Sequence, residues 1–192
     1  MILSHKYKFV CLNPPKTGSG FRENALKEYA DISIISEKPL NLRHWTSSQA
    51  SNYIKSINKN PNDYYWFTFV RNPWERMISW VNMKKNQSLD KGVPVDIDIE
   101  DFISKHLKSN FFKNYIYRDG ELLDFIGSLE NITEDLRFVL NKLNIDADIG
   151  FRKDKYIKNF KEEIRNQLSQ KMINLILHTE KEVIDMKNYS FK

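Results

Sequence analysis

The stretch "NPPKTGSG", residues 13–20, sets a lysine, two hydroxyl side chains and two glycines behind the apolar run "KYKFVCLN". Residues of these types can hold an anion. Main-chain N–H groups from Lys16 to Gly20 can converge where Gly18 and Gly20 allow a tight turn. Lys16 adds a mobile full charge and Ser19 a hydroxyl donor, and Pro15, Thr17 and Phe21 complete the set of candidate contacts. A solvent-facing turn can have the same composition. The loop of ordinary ATP and GTP hydrolases, G-x-x-x-x-G-K-[ST], has its lysine after the last glycine. No such string occurs here, so that chemistry is disfavoured.

A second constellation is "FTFVRNPWERMISW", residues 67–80. Arg71 follows a run whose apolar packing has no use for a cation, and Ser79 lies about two turns into the helix that Pro73 opens. A guanidinium fork and a hydroxyl placed this way can hold a second phosphate. Arg71 can equally pair with a glutamate, and Ser79 can serve close helix packing. Two anion-binding corners at adjacent strand ends suggest a nucleotide with phosphates at both ends. The third candidate is His44 in "LNLRHWTSSQA". A neutral imidazole is poised near pH 7 to take a proton from an alcohol, although a histidine beside Trp45 can also be a packed surface residue. His106 and His178 lie inside helical patterns, far from any motif, and are read as structural.

The elements that must position these residues alternate between strand and helix. "KYKFVCLN" predicts a strand ended by two prolines, followed by a helix over about residues 20–30. "ISII", residues 32–35, is a candidate second strand. Thr46 is a plausible N-cap for the next helix. "DYYWFTFV", residues 63–70, reads as a central strand buried on both faces. A helix from Pro73, an irregular excursion over 86–97 and a short helix, "DIEDFISKHLK", come next. "ELLDFIG", residues 121–127, is expected as one strand ended by Gly127. Leu136, Val139, Leu140 and Leu143 mark an amphipathic helix, and residues 158–183 continue as helix. The pattern predicts an α/β fold: a mostly parallel central sheet flanked by helices, in one domain over residues 1–192, with ligands at the carboxyl ends of the strands.

Composition agrees with a folded globular chain: 192 residues, 41% hydrophobic and 13% aromatic. A net charge of +5 suits an anionic ligand. Nucleic acid is not the expected partner, because the lysines are spread beside glutamates and no stripe alternates aromatic with basic residues. The single cysteine, Cys11, excludes an intramolecular disulfide, and the histidines and carboxylates show no metal spacing. There is no apolar run of membrane-spanning length and no secretory core at the N-terminus, so a cytoplasmic chain is expected. The oligomeric state has no signal in the sequence.

With these motifs in place, the chain resembles the sulfotransferase family, particularly its carbohydrate sulfotransferase branch. "FVCLNPPKTGSG" is similar to that family's 5′-phosphosulfate loop, P-K-x-G-[ST]-[ST], and "FVRNPWERMISWV" to its 3′-phosphate motif, R-[DN]-P-[FWY]-x-R-x-x-S. "DFIGSLENITEDLRFVLNKLNI", residues 124–145, and the tail "NYSF", residues 188–191, resemble later family segments. The resemblance implies a P-loop-like strand–loop–helix and in-line transfer of a sulfuryl group from 3′-phosphoadenylyl sulfate to an acceptor hydroxyl. It leaves 3′,5′-adenosine diphosphate as product and implies no metal. It puts Lys16, Thr17, Gly18 and Ser19 on the 5′-phosphosulfate, Arg71 and Ser79 on the 3′-phosphate, and His44 in the place of the general base. Glu23 and Glu37 are rival bases.

Two positions depart from the family pattern. Gly20 stands where a hydroxyl is common, and Ser128 where an arginine is frequent. Residues 38–48, 86–97 and 150–160, the last with Lys153, Lys155 and Lys158, are expected to shape the acceptor pocket, for a saccharide or another small molecule. The alternatives are a phosphotransferase with an unusual loop, or a basic protein that binds nucleic acid or a partner without catalysis.

Overall fold

The apolar runs of the sequence pair into a four-stranded sheet in a computed structural model that describes residues 1–32, 42–92, 97–107, 111–147, 149 and 159–191. Its strands are β1 (Ile2–Ser4), β2 (Phe9–Leu12), β3 (Tyr65–Val70) and β6 (Phe125–Ser128), in the spatial order β1-β2-β3-β6. The β1–β2 pair is antiparallel, with Ile2 opposite Cys11. The β2–β3 and β3–β6 pairs are parallel, with Cys11 opposite Phe67 and Phe69 opposite Gly127. The expected mostly parallel α/β architecture is therefore present. β3 lies between two parallel neighbours and is buried from Trp66 to Val70, as its largely apolar pattern requires, with the Thr68 hydroxyl donating to the Leu12 carbonyl.

The chain divides into two compact units, Met1–Val70 with Phe112–Arg152, and Arg71–Phe111 with Lys153–Lys192. The first unit holds the sheet together with α1 (Ser19–Leu26), α2 (Ser47–Ser56), α5 (Lys113–Ile116) and α6 (Ile132–Lys142). Side chains alternate along each strand. Ile2, Phe9, Cys11, Phe67 and Phe69 form one core with Leu26 of α1 and Leu136, Val139 and Leu140 of α6. Leu3, Val10, Leu12 and Trp66 are buried at the intervening positions. Trp66 donates through Nε1 to the Pro61 carbonyl and lies under the Arg118 guanidinium.

The second unit is helical: α3 (Pro73–Leu89), α4 (Ile99–His106), α7 (Lys161–Asn166), α8 (Gln170–Thr179) and α9 (Lys181–Lys187). Its core gathers Trp74, Met77, Ile78 and Val81 of α3 with Ile99, Ile103, Ile164, Met172, Ile176 and Ile184. No helix among the described residues is long and apolar enough to cross a membrane.

Several elements differ from the sequence expectation. β1 was not anticipated. Residues 121–127 split: Glu121–Leu122 (β5) forms a hairpin with Tyr117–Arg118 (β4), while β6 begins at Phe125 and joins the sheet. The hairpin turns at Asp119 and Gly120, both at positive φ, as a tight two-residue turn demands. Gly127 lies within β6 rather than ending it, paired opposite Phe69, where a β-carbon would stand 2.6 Å from Phe69 Cε1. The helix expected over 20–30 stops at Leu26, and the excursion expected from residue 86 begins only after Leu89.

The long C-terminal helix is three. Ser169 caps α8 by accepting from the Met172 N–H, and Glu180 interrupts the chain where its buried side chain reaches Arg76 at 2.9 Å. Ile32 makes a single bridge to Leu3. The rest of the candidate strand at 32–35 lies outside the described residues, as do Glu37, Lys153, Lys155 and Lys158.

Candidate active site

β2 runs directly into the lysine-bearing loop. Lys16 (φ 68) and Gly18 (φ 82) are both left-handed, and this repeated reversal folds the loop back before α1 starts at Ser19. Glycine is favoured at position 18, where φ is left-handed and a β-carbon would lie 2.5 Å from Leu129 Cδ1 and 3.0 Å from Ile132 Cδ1. The Phe21 N–H reaches the Gly18 carbonyl at 3.1 Å, but the first amides of α1, at Ser19 and Gly20, have no intrahelical carbonyl to bond, and the helix dipole makes that end attractive to negative charge. Lys16 and Ser19 are half-buried at this end and Gly20 is exposed. Phe21 packs against the first unit's core. The Thr17 hydroxyl faces inward, donating to the Pro14 carbonyl at 2.8 Å, so its side chain serves the loop's own shape.

Under the loop lies Arg22, fully buried. It donates through Nε and Nη2 to Asn13 Oδ1 at 3.1 and 2.8 Å, through Nη1 to the Thr17 carbonyl, and through Nη2 to Thr17 Oγ1 at 3.1 Å. Its guanidinium stacks 4.9 Å from the Phe69 ring centroid. Among the described residues no carboxylate is within ion-pair distance of it. The loop thus rests on a buried positive charge, which adds to the field of Lys16.

His44 closes a short 3₁₀ turn, Leu42–His44, and stands beside the root of the same loop. Its Nδ1 is 2.7 Å from the Asn13 carbonyl oxygen. A carbonyl can only accept, so Nδ1 carries the proton and Nε2 of the neutral ring is the basic nitrogen. Burial pushes the His44 pKa below its ordinary value, against the raising effect of the Asn13 hydrogen bond and with help from the Arg43 charge. The ring is therefore neutral at pH 7. Tyr115 fixes the turn by donating to the His44 carbonyl at 2.9 Å, and Thr46 then caps α2 with a reciprocal box to Gln49. Next to His44, Arg43 Nε lies 3.7 Å from Glu23 Oε1, and Trp45 meets Tyr53 edge-on.

The other candidate pair belongs to the second unit. Arg71 is 7% exposed, and its Nη2 lies 3.6 Å from Glu75 Oε2, one helical turn on. Glu75 in turn accepts a hydrogen bond from Arg165, so one carboxylate bridges two guanidinium groups. Asn72 caps α3 by accepting from the N–H groups of Trp74 and Glu75, and its Nδ2 donates to the Ser190 carbonyl at 2.8 Å. Ser79 is buried farther along α3.

Lys16, Ser19 and His44 thus share the first unit, with His44 bonded to the root of the loop at Asn13, while Ser79 lies in α3 and Arg71 two residues before its start. Sequence reasoning missed Asn13, Arg22 and Arg165. Asn13 had a signal in its place at the end of a strand before the loop. Arg22 and Arg165 had none, since an arginine within a short helix reads as a solvated face. Among the described residues no cluster of three His, Cys, Asp or Glu side chains is placed to hold a metal ion.

The family model described as "Sulfotransferase family" matches residues 1–121, more than half of the chain. The structure is similar to mouse sulfotransferase SULT7A1 complexed with PAP, with a TM-score of 0.52 and 13% identity, over 98% of this chain and 91% of that one. It is also matched to a sulfotransferase from Alicyclobacillus acidocaldarius, with a TM-score of 0.38 and 11% identity, over 97% and 83% of the two chains. At these identities the first likeness is one of fold. No curated protein matches the sequence significantly.

Proposed function

The chain belongs to the sulfotransferase family, and on that premise we propose that it moves a sulfuryl group in line from 3′-phosphoadenylyl sulfate to a hydroxyl of a sugar or other small molecule. The observation that carries this reading is the hydrogen bond between His44 Nδ1 and the Asn13 carbonyl. It sets a basic Nε2 beside the root of a loop that carries Lys16 and leads into a helix N-terminus. In this reading Lys16, the loop amides and Ser19 hold the 5′-phosphosulfate. Lys16 neutralises charge that grows on the sulfuryl and bridging oxygens in the transition state. His44 Nε2 takes the acceptor proton as the new S–O bond forms and the bond to the phosphate oxygen breaks. Arg71 and Ser79 bind the 3′-phosphate, the group that distinguishes this donor from ATP.

The fold's likeness to a sulfotransferase complexed with PAP supports the choice of donor, and the exposed Arg43 with the Trp45–Tyr53 pair supports a ring-bearing acceptor near His44. Titration calorimetry with 3′,5′-adenosine diphosphate and with ATP tests the donor. Clearly tighter binding of the bisphosphate is expected, and equal or weaker binding would refute the reading. A screen of saccharide and phenolic acceptors with sulfur-labelled donor then identifies the acceptor class. Salt-sensitive binding to oligonucleotides with no bisphosphate preference would point instead to a nucleic-acid partner.

A further inference from the structure

We propose that Arg22 is a positioning residue that couples the donor loop to the base, acting through Asn13 on His44; the coupling serves catalysis only if the function proposed above holds. One asparagine receives both partners. Its side-chain oxygen accepts two hydrogen bonds from the Arg22 fork, at 3.1 and 2.8 Å, and its main-chain oxygen accepts the Nδ1–H of His44 at 2.7 Å. A guanidinium only donates, so the Asn13 amide is held with Oδ1 toward Arg22. Among the described residues its Nδ2 then has no hydrogen-bond partner, although Asn13 is completely buried. An apolar residue there would avoid that unmet donor. What the amide gains in exchange is a fixed side chain and, with it, a fixed direction for the main-chain carbonyl of the same residue.

The same guanidinium grips Thr17 by its carbonyl and its hydroxyl. Arg22 therefore holds the residue just after Lys16 and the residue three before it. Lys16 itself sits in a left-handed backbone conformation that a longer side chain tolerates poorly, and the grip on both flanks keeps it there. Burying a guanidinium away from any carboxylate is unfavourable unless its donors are used. Here Nε, Nη1 and Nη2 each donate, in four hydrogen bonds to Asn13 and Thr17, and the Cys11 thiol is a further partner. A lysine would keep the charge and lose the planar fork. The spacing between the donor-binding lysine and the base is thus set from beneath, by one side chain that touches neither reacting group.

The test uses the full chain with ¹⁵N-labelled histidine, comparing wild type, Asn13→Ala, Asn13→Asp and Arg22→Lys. The His44 ring tautomer is read by long-range ¹H–¹⁵N correlation without donor, so that readout is independent of sulfotransfer. Wild type should show the Nδ1–H form. Asn13→Ala should show a mixture of tautomers, with 3′,5′-adenosine diphosphate affinity within about threefold and a single-turnover rate lower by about tenfold or more, as misplacement of a reacting group predicts. Asn13→Asp, which keeps the acceptor for Arg22, should restore the Nδ1–H form. Arg22→Lys, which also releases Thr17, should show the same mixture of tautomers with a larger loss of bisphosphate affinity, and its tautomer decides the matter if Asn13→Ala fails to fold. An unchanged tautomer in either folded variant overturns the coupling, whatever the rate. A tautomer change in a protein that transfers sulfuryl to no acceptor would leave the coupling standing and overturn the proposed function instead.

Discussion

Gly18 faces Leu129 across the lysine-bearing loop so closely that a β-carbon on Gly18 would stand 2.5 Å from Leu129 Cδ1. The connection after β6 thereby moulds the loop after β2. Two glycines in one motif consequently have opposite tolerances, because a β-carbon on Gly20 would meet nothing within 4 Å. Gly18→Ala should destabilise the protein by about 1–2 kcal/mol or more, since the left-handed backbone alone costs that much, and should weaken binding of 3′,5′-adenosine diphosphate. Gly20→Ser should fold at least as well as wild type and bind the bisphosphate about two- to tenfold more tightly through one added hydroxyl. Thermal melts and calorimetry check both, with Gly20→Ala separating the hydroxyl from the helix-propensity gain. A Gly18→Ala protein of wild-type stability would contradict the packing.

Arg71→Ala should weaken 3′,5′-adenosine diphosphate binding by at least about tenfold, because a charge-assisted hydrogen bond is lost. Adenosine 5′-phosphosulfate, which lacks the 3′-phosphate, should lose much less. Glu75 keeps its bond to Arg165 in this variant, so the helix start stays held. Equal losses for both ligands in calorimetry on folded protein would remove Arg71 from the 3′-phosphate.

Lys16→Ala should lower turnover by about 10²-fold or more while donor affinity changes less, as expected for a charge that matters most in the transition state. Pre-steady-state rates at saturating donor, set beside bisphosphate affinity, give the two numbers. Full turnover with a raised donor KM would make Lys16 a simple binding residue.

His44→Ala should lose about 10²–10⁴-fold in single-turnover rate, the range for a general base, and keep bisphosphate affinity. Below its pKa the ring is protonated and cannot act, so the wild-type rate should fall on the acidic side. Burial lowers that pKa, so the fall should be centred below the ordinary histidine value of about 6.5. The acidic limb should vanish from the residual activity of the variant. Collapse of Glu23→Gln with a nearly normal His44→Ala would give the role to the carboxylate.

The central strand, the Thr46 cap and the loop before α1 were legible because each is specified locally, by β-branched and aromatic runs, a Thr-x-x-Gln box, and glycines beside a lysine. β1 was not, since its three residues become a strand only by pairing with β2. The split of residues 121–127 depends on Asp124, whose carboxylate accepts from the Trp66 N–H and anchors the chain as it enters the sheet. His44 could be nominated from its type together with its segment's resemblance to the family. Its tautomer could not, because Asn13 stands 31 positions earlier and the bond exists only in the folded chain. Arg22 was hidden by a general ambiguity, that a helix arginine can face water or a buried loop.

The contacts that hold the start of α3 run far along the chain: Glu75 to Arg165 spans 90 positions, Arg76 to Glu180 spans 104, and Asn72 to Ser190 spans 118. A ribosome releases residues in order, so the latches of the segment bearing Arg71 and Ser79 wait until 90 to 118 further residues have followed. Closing such long loops is entropically slow. The loop with Lys16, by contrast, has Arg22 and His44 within reach soon after it emerges. On the nascent chain the Asn13–His44 and Asn13–Arg22 bonds therefore become possible before the latches at the start of α3, while the contact of Gly18 with Leu129 also waits for residues far downstream.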